Sequence, residues 1–309
     1  MHTILGAGGV IGTALVNELV PSGKPMRLVA RNPKATGGVA QVVAADVSDL
    51  DQTISAVSGS SVVYLLVGLK YHVSAWRELW PRIMHNAIEA CKRANAKLIF
   101  FDNVYMYGKV TGVMTEETPF NPSSRKGEIR ARIATMLLDE IKAGGVRGLI
   151  ARSADFYGPG ARTSVANILV FDKLARRERA SWLVNDSVPH SFTFTPDAGK
   201  SLATLAASET SWNQTWHVPT AAQPPTGKEL IRLAATQFDV EPRYRVLTPF
   251  MLKVAGSFNS DVRELGEMLY QYASSYVFDS TKFTKAFGFE PTDYATGIER
   301  TTSTYQAPQ

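Results

Sequence analysis

Thr3-Ile4-Leu5-Gly6-Ala7-Gly8-Gly9-Val10-Ile11-Gly12 carries the chain from an apolar run into a helical pattern through a turn built mostly of glycine. Strand, glycine turn and helix follow in register, which is how a βαβ unit opens. Glycine suits a turn with positive φ and a backbone that must lie close to a phosphate. The helix start adds unpaired N–H groups and the positive end of its dipole. The stretch therefore predicts a pyrophosphate cradle made by Gly6, Gly8, Gly9, Val10, Ile11 and Gly12.

Outward from this turn, short apolar segments alternate with longer helical patterns. Strands are expected at Thr3–Leu5, Met26–Ala30, Gln41–Ala45, Val62–Val67, Lys97–Phe101 and Gly148–Ala151, with helices near Val10–Val20, Leu50–Val57, Ser74–Ala94 and Glu128–Ile141. That alternation predicts an α/β fold with a doubly wound parallel sheet. The second half is less regular, with helices at Asn167–Arg179, Pro196–Ser208 and Ser260–Tyr276, a strand at Gln214–Val218 and a short terminal helix at Asp279–Phe287. Thr226 and Glu229 stand as a capping pair before another helix. Tyr270, Tyr272 and Tyr276 look exposed. No clean linker separates the halves, so the expected division is interleaved: a nucleotide-binding domain over 1–155, rejoined by about 190–218, and a smaller substrate domain over 156–189 and 219–309.

The 309 residues are 45% hydrophobic and carry a formal charge of +5. Basic residues are scattered rather than gathered into a stripe, which argues against nucleic acid and suits a small anionic ligand. No apolar run reaches the roughly 18 residues that span a bilayer, and the first residues do not form a leader. A cytoplasmic protein with no membrane partner is expected. Cys91, the single cysteine, reads as a small buried hydrophobe in a helix and fits a reducing compartment. No metal-ligand pattern stands out.

The spacing Gly6-x-x-Gly9-x-x-Gly12 resembles the extended and atypical short-chain dehydrogenase/reductases, which include the NAD-dependent epimerase/dehydratase-like proteins. Further landmarks follow in order: Met106-Tyr107-Gly108, Thr118-Pro119-Phe120-Asn121-Pro122, Arg152 through Pro159, His190 through Ala198, and Phe278-Asp279 with Phe287 through Pro291. The resemblance covers nearly the whole chain and implies a Rossmann sheet. After the second strand, where NAD enzymes carry an acidic residue, stand Arg31 and Asn32. A guanidinium there grips a 2′-phosphate, so NADP is the expected cofactor. By resemblance, Asp46 and Val47 meet adenine, and Val67, Gly68, Ala154, Asp155 and Phe156 complete the cofactor contacts. An alternative for Asp155 is a turn cap, and for Arg31 a solvated surface position.

Proteins of this kind use a Ser/Thr, a Tyr and a Lys four residues later. Here Asn103 falls in the first slot, Lys126 in the Tyr slot and Arg130 in the Lys slot; a second register selects Glu128 and Arg132. Neither register contains a tyrosine. Arginine binds a ribose or an oxyanion yet cannot shuttle a proton at neutral pH. Tyr105, two residues beyond Asn103, is the leading proton donor, with a packed surface aromatic as the alternative. His190 stands where sugar-nucleotide enzymes commonly place a phosphate-binding arginine, and with Tyr157 and Tyr270 it is expected to face a small-molecule substrate. The expected function is NADP(H)-dependent oxidoreduction of a small carbonyl, hydroxyl or enone compound. An epimerase or dehydratase with retained cofactor and a non-catalytic NADP(H) sensor are the alternatives. The resemblance also implies a homodimer through the helices near 74–94 and 128–141, with Ile133, Met136, Leu137 and Ile141 either at that contact or against the sheet.

Overall fold

The computed structural model describes residues 1–33 and 40–306. They form two compact units. Unit 1 comprises Met1–Met106, Arg125–Arg152 and Ala198–Trp216, and unit 2 comprises Tyr107–Ser124, Ser153–Asp197 and His217–Gln309.

Unit 1 is built on a seven-stranded sheet. Strands β1 (His2–Leu5), β2 (Met26–Ala30), β3 (Ala40–Ala44), β4 (Val62–Leu65) and β5 (Lys97–Asp102) lie in the order β3-β2-β1-β4-β5, followed by Gly148–Arg152 and Thr215–His217. His2 of β1 pairs with Met26 on one side and Val62 on the other, both parallel. The strand order therefore reverses beside β1, which opens a crevice at the C-terminal ends of β1 and β4. β1 and β4 are buried along their length, as expected of parallel strands covered on both faces. Helix α3 (Val73–Ala94) packs against α2 (Leu50–Val57) and α4 (Arg125–Lys142). Helix α1 (Val10–Leu19) packs against Thr195–Ala207, where Gly199 lies so near that a Cβ would stand 2.5 Å from the Ala14 carbonyl carbon. This is the expected α/β class with a doubly wound parallel sheet.

Local chemistry sets the element ends. The Asp49 carboxylate accepts the Gln52 N–H at 2.9 Å and starts α2. Asn95 ends α3 in the left-handed region with φ 49°. Cys91 is buried on α3, and burial pushes its thiol up. Ile133 and Leu137 of α4 are fully buried, so this part of the apolar stripe faces the interior. Among the described residues no helix is long and apolar enough to cross a membrane.

Unit 2 assembles from three short parallel pairs: Asp155–Tyr157 with Phe192–Phe194, Ala180–Leu183 with Tyr244–Leu247, and Val113–Met114 with Val277–Phe278. Phe171, Trp182, Phe192, Phe194, Leu230 and Ile231 are part of its core. The Thr226 N–H and hydroxyl both donate to the Glu229 carboxylate, at 2.9 and 2.7 Å, and start the helix Gly227–Gln237.

Two expected helices break. Asn167–Arg179 is a π-helical turn at Asn167–Phe171 and one α-turn at Asp172–Ala175, ended by Arg177 at φ 56° before the strand Ala180–Leu183. Ser260–Tyr276 is α-helical only to Leu265 and tightens to a 3₁₀ form over Gly266–Tyr272. Tyr272, at the end of the tighter winding, and Tyr276 beyond it are both buried rather than exposed.

Candidate active site

The glycine turn after β1 combines close packing with open backbone. Gly6 has φ +92°, and a Cβ on it would stand 2.8 Å from the Leu66 carbonyl and the Val67 Cα. Gly12 sits against Ala7, with 2.9 Å from its Cβ position to the Ala7 carbonyl oxygen. Gly8 is the opposite case: no protein atom lies within 4 Å of its Cβ position. Gly6 and Gly12 thus serve close packing inside the protein, while Gly8 opens its backbone outward. Gly9 caps α1 without a side chain, so the N–H groups of Val10, Ile11 and Gly12 begin the helix with no side-chain acceptor at the cap. Together these make a cradle open to a phosphate at a helix N-terminus.

A groove of about 440 Å³ extends from this cradle within unit 1. Arg31 and Asn32 stand on its rim beyond β2, Asp46 and Val47 beyond β3, and Val67 and Gly68 beyond β4. Arg31 and Asn32 are exposed. The Ser48 N–H and hydroxyl donate to the Asp46 carboxylate at 2.9 and 2.8 Å. These bonds, with a smaller contribution from Arg31, hold its carboxyl below the usual range. The buried Asn86 amide donates to the Val47 carbonyl at 3.1 Å and fixes that side of the groove.

Beyond the groove, loops at the same end of the sheet carry a second cluster within unit 1. The Asn103 N–H donates to Asp102 Oδ1 at 2.9 Å, and Asn103 Oδ1 accepts the Tyr105 N–H at 3.1 Å. The Asn103 amide nitrogen is thereby left as the donor. On α4, Lys126 and Arg130 are buried and Glu128 and Arg132 are exposed. The inward pair is therefore Lys126 and Arg130. Arg130, expected to hold a cofactor ribose, forms a buried ion pair with Asp102. Its guanidinium is 3.1 Å from Asp102 Oδ1 and lies over the rings of Trp80 and Trp76, at 4.1 and 4.7 Å. Burial pushes Arg130 down and Asp102 up, and each opposes the shift of the other. Arg130 thus positions the Asp102–Tyr105 loop.

The Lys126 ammonium sits 4.5 Å over the ring of Tyr71, whose hydroxyl donates to the Tyr105 hydroxyl at 3.4 Å. Sequence reasoning passed over Tyr71, which lies in a loop with no motif of its own.

Unit 2 holds the remaining expected residues. His190 is buried between Tyr272 and Tyr276, whose rings stack on it with centroids at 4.4 and 4.3 Å. Its Nε2 is 3.0 Å from Asp155 Oδ2, which also accepts the Tyr272 hydroxyl at 2.8 Å. The carboxylate fixes the Nε2–H tautomer and leaves Nδ1 buried with no partner. Asp155 and Phe156 are half-buried and Ala154 is buried. Tyr270 lines a cleft of about 20 Å³ with Gly108, Lys109 and Tyr276, the room of one water. Tyr157, expected at the substrate, is a core side chain: 1% exposed, packed on Phe171, Phe194 and Tyr294. A substrate in solvent does not reach it. Among the described residues no group of three or more His, Cys, Asp or Glu side chains is placed to hold a metal.

Solved structures share this fold over their whole length. MoeE5 in complex with UDP-glucuronic acid and NAD superposes with a TM-score of 0.80 at 19% identity, covering 99% of this chain and 98% of that one. The UDP-glucose 4-epimerase of Thermus thermophilus, in complex with NAD, gives 0.80 at 15% identity, covering 99% of both chains. A double mutant of DesIV (dTDP-glucose 4,6-dehydratase) from Streptomyces venezuelae, with NAD and DAU bound, gives 0.80 at 15% identity, covering 99% of this chain and 97% of that one. No curated protein sequence matches the chain. The family model for the NAD dependent epimerase/dehydratase family matches residues 2–185, the stretch that holds the glycine cradle, the groove, Lys126 and Arg130. By that match the chain belongs to the NAD-dependent epimerase/dehydratase family.

Proposed function

We propose that the chain is an NADP(H)-dependent oxidoreductase acting on a small carbonyl, hydroxyl or enone compound that lacks a diphosphate. The observation that carries this reading is the unit 1 groove, which joins an open phosphate cradle at Gly8 to a rim bearing Arg31 and Asn32. The residues fit a dinucleotide: Gly8, Gly9, Val10 and Ile11 take the pyrophosphate, Arg31 and Asn32 the 2′-phosphate, and Asp46 and Val47 the adenine. Val67 and Gly68 line the way toward the nicotinamide. When bound, the reduced nicotinamide supplies a hydride to the substrate carbon.

The chain's own residues handle the oxygen. Asn103 donates from its amide nitrogen, Tyr105 gives the proton, and Lys126 supplies positive charge against the developing oxyanion. The buried Asp155–His190 pair in unit 2 supports a substrate without a diphosphate. An imidazole committed to a carboxylate between two tyrosines is a poor substitute for a solvent-facing arginine. The family assignment favours a second reading, an epimerase or dehydratase with retained cofactor, which predicts dinucleotide that stays with the protein through purification.

The test is calorimetry. NADPH binds more tightly than NADH, and Arg31→Ala weakens NADPH by about 1.5–3 kcal/mol, the scale of hydrogen bonds to a charged group, while NADH is nearly indifferent. Equal affinity of the parent protein for the two cofactors refutes the 2′-phosphate assignment.

A further inference from the structure

We propose that Tyr71 is the second phenol of a two-tyrosine proton relay, passing a proton to Tyr105 and leaving its own negative charge beneath the Lys126 ammonium. The relay deepens the oxidoreductase reading above and rests on it. Three segments far apart in sequence build it: the loop after β4 gives Tyr71, the loop after β5 gives Tyr105, and the first turn of α4 gives Lys126. A tyrosine and a lysine thus meet although neither occupies its usual place in the chain.

The geometry supplies a direction. Tyr71 donates its hydroxyl hydrogen to the Tyr105 oxygen at 3.4 Å, which sets the direction from Tyr71 to Tyr105. The distance is longer than the roughly 2.7–2.8 Å common for hydroxyl pairs, as catalytic bonds often are before substrate draws them in. Trp76 holds both rings, edge-on to Tyr71 with centroids at 5.5 Å and stacked on Tyr105 at 6.3 Å. The Trp76 indole is itself anchored by its N–H to the Lys70 carbonyl at 3.1 Å and by Arg130 over its ring. The phenols are therefore held by a buried side chain rather than left to swing in solvent.

The electrostatics fit the end state. A cation within about 4–6 Å favours the charged form of an acid, and the Lys126 ammonium is 4.5 Å from the centre of the Tyr71 ring. Arg130 is coupled electrostatically to Tyr105 and Tyr71 as well. The charged and titratable groups around the pair are Lys126 and Arg130 from α4, Asp102 from β5, and Lys70 and His72 beside Tyr71 in its own loop. Asp102 is taken up by Arg130, so Lys126 is the cation assigned to the phenols.

Atoms and electrons balance as follows. A reduced nicotinamide held in the groove would be the co-reductant, supplying two electrons and one hydrogen, as hydride, to the carbonyl carbon. The C=O π bond opens, the oxygen takes the Tyr105 hydrogen, and Tyr105 takes the Tyr71 hydrogen. The charge ends as a Tyr71 phenolate opposite Lys126, and solvent returns the proton. In the oxidation direction each step reverses.

The test uses the full-length protein and two readouts. Phenolate absorbance is followed across an alkaline titration in the parent, Tyr71→Phe, Tyr105→Phe and Lys126→Met proteins. NADPH consumption is followed with a panel of aldehydes, ketones and enones. The expected result is that Tyr71→Phe removes the phenol that ionises first and that Lys126→Met moves this ionisation to higher pH. With any panel member that turns over, Tyr71→Phe lowers kcat by about 10²-fold and shifts the pH profile, leaving KM near the parent value. An unchanged first ionisation in Tyr71→Phe overturns the proposal. If that variant fails to fold, an unchanged first ionisation in Lys126→Met overturns it equally. Absence of nicotinamide binding would defeat the oxidoreductase reading while leaving the phenol titration intact, so the two failures are distinguishable.

Discussion

Gly6 and Gly8 occupy one turn and answer to different constraints, and alanine at each separates folding from binding. At Gly6 an added methyl meets the Leu66 carbonyl and the Val67 Cα at 2.8 Å, on a backbone with φ +92°. The left-handed backbone costs about 1–2 kcal/mol for a residue with a Cβ. Relieving the contact with a fixed loop costs about 1–3 kcal/mol more. Gly6→Ala should therefore lose about 2–5 kcal/mol of stability. At Gly8 there is no protein atom within 4 Å of the methyl position, and φ is not in the left-handed region. Gly8→Ala should leave stability within about 0.5 kcal/mol of the parent. The same methyl fills the space through which a pyrophosphate approaches the backbone, and overpacking of about 1–3 kcal/mol weakens NADPH by about 5- to 150-fold. Urea denaturation followed by circular dichroism gives the stabilities, and calorimetry gives the affinities. The reasoning is refuted if Gly8→Ala binds NADPH as the parent does, or if Gly6→Ala is as stable as the parent.

Two further outcomes follow from buried side chains. His2 Nδ1 and the Tyr64 hydroxyl share a hydrogen bond of 2.9 Å, and burial, with Lys24 and the N-terminal ammonium, pulls the imidazole from 6.5 down to about 4. The folded chain keeps this imidazole neutral while the unfolded chain protonates it. The stability it contributes is full above about pH 6.5 and falls by about 3 kcal/mol as the pH drops toward 4; urea midpoints that fall equally in His2→Gln would assign the loss elsewhere. The Tyr157 hydroxyl is buried with no hydrogen-bond partner. Tyr157→Phe should match the parent or exceed it by about 1 kcal/mol in denaturation, whereas a clear loss of stability would show that the hydroxyl has a partner.

The sheet of unit 1 was legible because parallel strands buried on both faces are continuous apolar runs, and β1, β2 and β4 read as such within a residue or two at their ends. The strands of unit 2 are two to four residues long and pair across wide gaps, Asp155–Tyr157 with Phe192–Phe194 and Ala180–Leu183 with Tyr244–Leu247. No period can develop over such lengths. The register of α4 had a usable signal: Lys126 and Arg130 share a helical face with Ile129, Ile133 and Leu137, three and four residues apart, and that face is the buried one. Tyr71 had no signal. Its place under Lys126 exists only once β4, β5 and α4 are side by side.

The chain passes between its units after Met106, Ser124, Arg152, Asp197 and Trp216. Neither unit is therefore a single contiguous segment of the chain. During synthesis, Gly148–Arg152 leaves the ribosome about 60 residues before the strand Thr215–His217 that flanks it, a delay of several seconds at ordinary elongation rates. For that interval the sheet carries an open edge of buried character, which is the kind of surface that chaperones meet and that aggregation exploits. Truncation anywhere before residue 217 would make that transient condition permanent.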